Sequence, residues 1–263
     1  MIPKTIHYCW FGRNPLPKLA QKCIKSWKKY CPDYQIVEWN EDNFDISACP
    51  LYLRQAYDAK KWAFVTDYVR LKIIYENGGI YLDTDVEIIK PLDSLLNHEA
   101  YFGFEDGVHI NTGLGFGAIK HHPLIKELMD DYNNDVFVLK DGSFNYTTCP
   151  VKNTKIFLKY GLQQDNSCQT INSSHIFSSE YFSPRIHFDK TIESTPFTHS
   201  IHHGAASWYP KHELRRLRRM QRTLTCKYKF INFIHILTHL PNIIIRYILG
   251  DELYNKIKRK YKR

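Results

Sequence analysis

The order of apolar and polar positions along the N-terminal third of the chain predicts strands that alternate with helices. Apolar runs at residues 4–10, 34–39 and 79–82 have the length of buried strands, and residues 16–29 and 54–77 between them show longer, helical patterns. Such alternation is typical of α/β folds, in which ligands bind beyond the carboxyl ends of the strands. We therefore expect an α/β domain with its site at that edge of the sheet.

The longest predicted helix covers residues 54–77. Trp62, Val65 and Val69 keep the spacing of an apolar helical face, and Gly78-Gly79 directly after it are a helix stop. The pattern predicts one continuous helix that ends at the double glycine.

Two charged residues, Asp67 and Arg70, lie inside this largely apolar helix. They are three positions apart and are therefore neighbours on one helical face. An ion pair would explain them. The alternative is that Asp67 accepts a hydroxyl of a ligand while Arg70 contacts its phosphate or sugar.

Two carboxylates follow the strand after the double glycine. Residues 80–82 are apolar, and Asp83-Thr84-Asp85 come next. Within a strand these side chains would point to opposite faces, but where the backbone turns they can converge on one cation. Mg²⁺ and Mn²⁺ prefer oxygen ligands and often bind one or two carboxylates together with substrate phosphates. A simple turn is the alternative for a lone D-x-D triplet. With its surroundings, the triplet suggests a metal-dependent enzyme acting on a nucleotide diphosphate.

Four segments, in order, resemble glycosyltransferase family 32. They are residues 2–12, which end in Trp-x-Gly, then 26–39, 64–85, and 202–208 with a His-x-x-x-Ser-Trp element. The resemblance spans about residues 1–210. It implies a GT-A-type, Rossmann-like fold that binds a nucleotide sugar, similar in its core to the large clostridial glucosylating toxins.

The resemblance also implies which residues bind the donor: Trp10, Asp67, Arg70, Tyr81, Asp83, Asn111 and Trp208. In this assignment Trp10 stacks on the nucleotide base, as suits an indole face. Tyr81 and Trp208 lie near the diphosphate, and Asn111 contacts the donor sugar.

The metal ligands implied by the resemblance are Asp85 directly, with His203 or Ser207 from the C-terminal side. Spacing alone does not decide between His202 and His203, and both could also cap a strand end. Mn²⁺ or Mg²⁺ at this place would stabilise the nucleoside diphosphate that leaves during glycosyl transfer. Asp83, Asp85 and Arg70 form the expected catalytic set.

The family resemblance implies retention of anomeric configuration. A double displacement needs a carboxylate close to the anomeric carbon, and Glu105 and Asp106 are the local acids. No motif selects either one, so departure and attack on the same face, with the diphosphate oxygen as base, stays equally open. UDP-hexose is favoured as donor by analogy with the toxins. We expect the polar stretch at residues 133–183 to shape the acceptor side.

Positive charge is concentrated at the C-terminal end. Residues 211–263 carry a net charge of +12, which leaves −3 for residues 1–210 out of a total of +9. Two basic patches flank an apolar run at residues 230–249. We expect a catalytic domain at 1–210 and a basic amphipathic helical tail at 211–263 that lies on anionic lipid. A solvated helix packed on the catalytic domain is the alternative.

This organisation suggests a cellular setting. Seven scattered cysteines without a C-x-x-C pair favour a reducing compartment, and the opening residues read as a strand rather than a signal peptide. We expect a cytoplasmic enzyme on the inner face of the inner membrane. Its acceptor would be a glycan, such as a polyprenyl-diphosphate-linked one in capsule or O-antigen synthesis.

Two other classes fit parts of the sequence. A phosphatase of the haloacid dehalogenase type also places D-x-D after an apolar strand, but its motif has Thr or Val at the position of Glu87. A nucleic-acid-binding module would use the basic tail. The long apolar run within that tail argues against it, and no nucleic-acid partner is expected.

Overall fold

A computed structural model describes residues 1–184 and 191–205 of the 263-residue chain. The predicted tail at 211–263, together with Ser207 and Trp208, lies outside the described residues. The tail and the domain boundary therefore stay predictions.

The secondary structure consists of strands and helices that alternate in the first half of the chain. The strands are β1 (Thr5–Cys9), β2 (Gln35–Trp39), β3 (Gly79–Tyr81), β4 (Val86–Ile88), β5 (Ala100–Gly103), β6 (Phe116–Ala118), β7 (Gln169–Ile171), β8 (Ser174–Phe177) and β9 (Ser200–His202). The helices are α1 (Lys18–Tyr30), α2 (Leu51–Asp58), α3 (Trp62–Asn77), α4 (Pro123–Asp130) and α5 (Cys149–Leu158). In these residues no helix is both long and apolar enough to cross a membrane.

Seven strands form one mixed sheet in the order β2–β1–β3–β6–β5–β8–β7. Strands β2, β1 and β3 are parallel, and β6 runs antiparallel to both β3 and β5. Because β5 is also parallel to β8, the carboxyl ends of β1, β3, β5 and β8 lie along the same edge. The predicted α/β class is confirmed. Strands β4 and β9 form a separate antiparallel pair.

Apolar side chains cover both faces of this sheet. Along β3, Tyr81 packs into a cluster with α2, α3 and α4, while its neighbours Ile80 and Leu82 pack into a second cluster with α1. Successive strand side chains point to opposite faces, so this alternation is the expected result of a sheet buried on both sides. Because both faces of the sheet are covered, polar residues of a site can lie only at its edge.

The prediction of one continuous helix over residues 54–77 is wrong. The chain breaks between α2 and α3, where Lys60 adopts a left-handed conformation with φ of 55°. The amide of Lys61 donates to the carbonyl of Ala56 and that of Lys60 to Tyr57, both at 2.9 Å. These bonds form a Schellman-type helix end. Lysine instead of glycine at its left-handed position concealed it from sequence reasoning.

The stop predicted at the double glycine is confirmed. Gly78 and Gly79 have φ values of 68° and 99°. A Cβ atom on Gly79 would lie 2.8 Å from the Thr5 carbonyl oxygen and 2.9 Å from Nε2 of His7. Both the backbone conformation and the lack of space therefore require glycine, which brings β3 directly against β1.

Candidate active site

The strand ends bring the predicted site residues to one edge of the sheet. Trp10 follows β1, Asp83 follows β3 and Glu105 lies two residues beyond β5. The amide of Val86 donates to the carbonyl of Asp83 at 3.0 Å, which closes a tight turn. Because of this turn, Asp83 and Asp85 do not point to opposite faces as they would in a continuous strand.

Three side chains form a potential cation site: Asp83, Asp85 and His202, whose ligating atoms all lie within 4.8 Å of one another. His202 arrives there because β9 pairs with β4, with His202 opposite Val86. Its Nε2 atom is 3.3 Å from Oδ1 of Asp85, and the other oxygen of Asp85 accepts the amide of Ala205 at 2.7 Å. Two carboxylates and one imidazole fit Mn²⁺ or Mg²⁺ that still binds phosphate oxygens.

The electrostatics of this cluster favour a cation. Burial disfavours the charge of Asp85, but its hydrogen bond and ion pair with His202 outweigh burial and lower the pKa of Asp85 to about 2. Burial raises the pKa of Asp83, although the nearby Arg70 opposes the shift. Asp85 is thus ionised, and the negative charge of the buried Asp83 beside it is unfavourable without a nearby positive charge. This combination is suited to binding a divalent cation.

The side chain of His202, and not that of His203, lies beside the two aspartates. The metal role of either histidine stays a prediction. The Nε2 atom of His203 lies 2.8 Å from Oε2 of Glu87, which also pairs with Lys22 at 2.7 Å. Only the backbone of His203 faces the cluster, where its amide donates to the carbonyl of Asp85 at 3.0 Å. His202 ends β9 and His203 follows it directly, and adjacent side chains of an extended chain point to opposite sides, so the two histidines diverge.

Arg70 connects the helix α3 to the two aspartates. Its Nη2 atom lies 3.0 Å from Oδ1 of Asp67 and 3.4 Å from Oδ1 of Asp83, and the residue is 3% exposed. The Tyr81 hydroxyl donates to the same Asp83 oxygen at 2.9 Å, and the guanidinium lies 5.1 Å from the Tyr81 ring centre. The ion pair considered from the sequence is thus present. It joins these predicted donor residues in one network.

Asp67 is buried within this network. Burial raises the pKa of its carboxyl group to about 6, although the adjacent Arg70 opposes the shift. Thr66 holds the guanidinium from the other side, accepting from Nε at its carbonyl and from Nη2 at its hydroxyl, at 3.0 and 3.1 Å. The positive charge is therefore fixed in place before any ligand arrives.

Asn111 and Gly113 complete the side of the site next to β6. The Oδ1 atom of Asn111 accepts the Gly113 amide at 2.6 Å. A Cβ atom on Gly113 would lie only 2.5 Å from Oδ2 of Asp83 and 3.1 Å from Nη1 of Arg70. This glycine allows the Asn111 loop to approach the acid cluster closely.

Trp10 lies at the same sheet edge, directly after β1, and is partly buried. Its indole nitrogen donates to the carbonyl of Asn14 at 2.5 Å, and its amide donates to the Trp39 carbonyl at 2.9 Å. These bonds hold the ring at the start of the loop after β1. Its stacking on a nucleotide base stays a prediction.

Comparison with known proteins shows which family part of this site resembles. Residues 17–102, which include α3 and both acids of the triplet, match the family described as "Glycosyltransferase sugar-binding region containing DXD motif". This segment of the chain is therefore similar to the sugar-binding region of glycosyltransferases.

Proteins similar to this chain occur in fungi and viruses. It is 31% identical over 161 residues to "Inositol phosphoceramide mannosyltransferase 3" of Schizosaccharomyces pombe, a match that covers 60% of this chain and 44% of that protein. It is 26% identical over 225 residues to "Uncharacterized glycosyltransferase L373" of Acanthamoeba polyphaga mimivirus, covering 80% and 85%. The chain spans about half the length of the three S. pombe mannosyltransferases that it matches. Among solved structures, it is similar to the PaToxG glycosyltransferase, with 20% identity, a TM-score of 0.46 and coverage of 60% and 69%.

The two acids that follow β5, Glu105 and Asp106, differ in their surroundings. The Asp106 carboxylate accepts the amides of Val108 and His109 at 3.0 and 2.8 Å and pairs with the His109 ring at 2.9 Å. It therefore stabilises its own turn. The Glu105 side chain is partly buried and has no hydrogen bond or ion pair with the described residues. Of the two carboxylates, that of Glu105 is the one that could interact with a substrate without breaking a hydrogen bond of the described fold.

Sequence reasoning missed Cys149, the first residue of α5. Its Sγ atom lies 3.4 Å from Oδ1 of Asn111 and 3.9 Å from Nη1 of Arg70, and it is buried. The sequence indicated only a polar stretch at residues 133–183, because α5 buries the polar side chains of Lys152, Asn153 and Thr154. A lone cysteine in such a stretch gave no signal.

Proposed function

We propose that the protein is a metal-dependent hexosyltransferase that uses a nucleotide-diphosphate sugar as donor. The observation that carries the proposal is the cluster of Asp83, Asp85 and His202 at the end of β3, beside the fixed charge of Arg70. A divalent cation held there would act as a Lewis acid on the diphosphate leaving group.

The protein's own residues would bind the donor and orient it around its diphosphate. Arg70 and the Tyr81 hydroxyl already converge on Asp83, so they hold its carboxylate in one orientation while Arg70 adds positive charge near the diphosphate. Asp67 and Asn111 line the same network, where they would accept and donate hydrogen bonds to donor hydroxyls. Trp10 would stack on the base.

The sequence favours UDP-hexose as donor, and the relatives add a second candidate. Three of them are named mannosyltransferases, which brings GDP-mannose into consideration. The same names contain inositol phosphoceramide, a lipid, and this supports an acceptor carried on a lipid. A polyprenyl-diphosphate-linked glycan in capsule or O-antigen synthesis is the acceptor expected from the sequence.

The stereochemical proposal is retention, with Glu105 rather than Asp106 as the local acid that takes part in the reaction. Glu105 lies at the same sheet edge as the acid cluster, and its side chain is not used by the described part of the fold. Proton NMR of the product formed in the first minutes of reaction gives its anomeric configuration. A retained configuration is expected, and an inverted product would contradict this part of the proposal.

The decisive experiment is a hydrolysis screen across UDP- and GDP-sugars with Mn²⁺, Mg²⁺ or EDTA. We expect one donor to be hydrolysed only with metal, and Asp85→Asn to lower the rate by at least about 100-fold, since a metal contributes several kcal/mol. Asp33→Asn is the control, because Asp33 is an exposed aspartate next to the other end of β2. Equal rates for Asp85→Asn and the wild type would overturn the metal assignment.

The proposed membrane association, on the cytoplasmic face of the inner membrane, rests on the basic composition of residues 211–263. Flotation of the full-length protein with vesicles tests it. We expect co-flotation with vesicles that contain anionic lipid, and loss of binding at high salt because the attraction is electrostatic. Equal binding to zwitterionic vesicles, or none to either, would contradict it.

A further inference from the structure

Helix α5 is bound to the loop that carries Asn111 by three hydrogen bonds. Thr154 Oγ1 accepts the amide of Ile110 at 2.9 Å, the Cys149 thiol donates to Oδ1 of Asn111 at 3.4 Å, and Asn153 Nδ2 donates to the Thr112 hydroxyl at 3.1 Å. Three consecutive loop residues are thus held by one face of α5. All three helix residues are at most 6% exposed, so these bonds are shielded from water.

These bonds fix which way the Asn111 amide faces. The backbone amide of Gly113 can only donate, and it lies 2.6 Å from one side-chain atom of Asn111, so that atom must be the oxygen. The same oxygen receives the Cys149 thiol. The nitrogen of the side chain, with its two N–H groups, has no acceptor in residues 1–184 and 191–205. It is available to donate to a ligand oxygen.

Cys149 is the one member of this set that also reaches the rest of the donor network. Its sulfur lies 3.9 Å from Nη1 of Arg70 and also interacts with the carboxyl group of Asp67. Burial raises the pKa of its thiol, so the group remains a neutral S–H donor. In these surroundings the Cys149 thiol acts as a hydrogen-bond donor and not as a nucleophile.

We propose that Cys149 is a positioning residue that sets the Asn111 amide for hydrogen bonding to the sugar of the donor. The inference rests on the proposed function, and it adds a role for α5. Cys149 acts through Asn111, so its effect appears with a sugar-bearing donor and not with the nucleoside diphosphate alone.

The test compares Cys149→Ala with Cys149→Ser in the full-length protein. Loss of one hydrogen bond is expected to lower kcat/KM for donor hydrolysis by roughly three- to tenfold in Cys149→Ala, whereas Cys149→Ser keeps a donor and stays within about twofold of wild type. If Cys149 only filled space, Ala would be tolerated as well as Ser or better, because a buried hydroxyl without a partner is unfavourable. That ranking would overturn the proposal.

A second buried cysteine provides the control. Cys49 is 6% exposed, like Cys149, and its thiol donates to the Asp45 carbonyl at the same distance of 3.4 Å, but it lies outside the site. Cys49→Ala is expected to leave kcat/KM unchanged. Thermal unfolding of all variants reports any general loss of structure, and the Kd of the nucleoside diphosphate alone should be the same in Cys149→Ala and wild type.

The dependence on Asn111 is tested by a double-mutant cycle. In an Asn111→Ala background, Cys149→Ala should cause no further loss of donor hydrolysis. An undiminished three- to tenfold loss would show that Cys149 acts elsewhere and would overturn the proposal. If the wild-type protein hydrolyses no nucleotide sugar, the proposed function fails and this inference with it. An active wild type with an unaffected Cys149→Ala rejects the inference alone.

Discussion

Gly113 is a position where the backbone passes close to the acid cluster. Its missing side chain leaves room for Oδ2 of Asp83, which would lie 2.5 Å from a Cβ atom. Since real Cβ atoms are not found this close, Gly113→Ala must displace either the loop or the carboxylate of Asp83. The residue therefore controls the geometry of the site without contributing a functional group.

We expect Gly113→Ala to lower metal-dependent donor hydrolysis by at least tenfold, because catalytic groups tolerate little displacement. Steady-state kinetics with Mn²⁺ measure this effect. Gly142→Ala is the control. A Cβ atom there meets nothing within 4 Å, so its φ of 81° costs stability without displacing a residue of the site. Full activity of Gly113→Ala would show that Asp83 is not constrained as the structure indicates.

The site residues that could be predicted from the sequence are those that lie close along the chain to another residue of the site. Asp83 and Asp85 follow an apolar strand, and Asp67 and Arg70 share one helical face, so local spacing revealed them. His202 and Cys149 come from distant segments that reach the site through strand pairing and helix packing. Spacing carries no information about such contacts, which is why the choice between two histidines stayed open.

At the scale of secondary-structure elements, His7 joins β1 to its neighbours. Its Nδ1 accepts the indole N–H of Trp39 at 3.0 Å, and its Nε2–H donates to the carbonyl of Gly78 at 3.1 Å. This pattern requires a neutral ring. Burial lowers the pKa of His7 from 6.5 to about 4, although the bond to Gly78 opposes the shift.

The shift predicts how stability depends on pH. The unfolded chain takes up a proton near pH 6.5 and the folded His7 only near pH 4, so its contribution is complete above pH 6.5 and is lost as pH falls towards 4. The loss amounts to about 3 kcal/mol at most. In urea unfolding at pH 7 and pH 4.5, His7→Gln should lose less stability between the two values than wild type.

The control for this measurement is His121→Gln, at an exposed histidine, which should follow the wild-type pH dependence. An equal fall in unfolding free energy for His7→Gln and wild type would contradict the assignment of a neutral, buried His7.

The break between α2 and α3 gives a second prediction for an element. Lys60 has a left-handed backbone conformation that disfavours residues with a Cβ atom and suits glycine. We expect Lys60→Gly to raise the free energy of unfolding by about 0.5–1 kcal/mol, as measured in urea. Lys60→Ala separates the side chain from the backbone, and an equal gain there would contradict a conformational cause.

The same break shows the limit of periodicity for predicting elements. Apolar spacing continues across residues 54–77, because both helices bury residues on the same side of the sheet, so the pattern does not register the turn between them. Helix α5 was missed for the opposite reason. Its inner face is polar, and the amphipathic pattern that marks most helices is weak there.

At the scale of the whole molecule, the sheet order explains why one edge carries the site. Strands β1, β3 and β5 run in the same direction, so Trp10, Asp83 and Glu105 emerge along one line. The first three strands and their order of appearance followed from alternation in the sequence. The antiparallel insertion of β6 and the β4–β9 pair did not, because short strands paired over long sequence separations leave no local pattern.

The central claim is that Asp83 and Asp85 bind a divalent cation that in turn binds the diphosphate of the donor. Calorimetric titration of UDP and of GDP into the full-length protein, with Mn²⁺ or with EDTA, tests it most directly. One nucleotide should bind at least tenfold more tightly with Mn²⁺, and Asp85→Asn should abolish that difference. Binding of equal affinity with and without metal, or a metal effect that survives Asp85→Asn, would contradict the account.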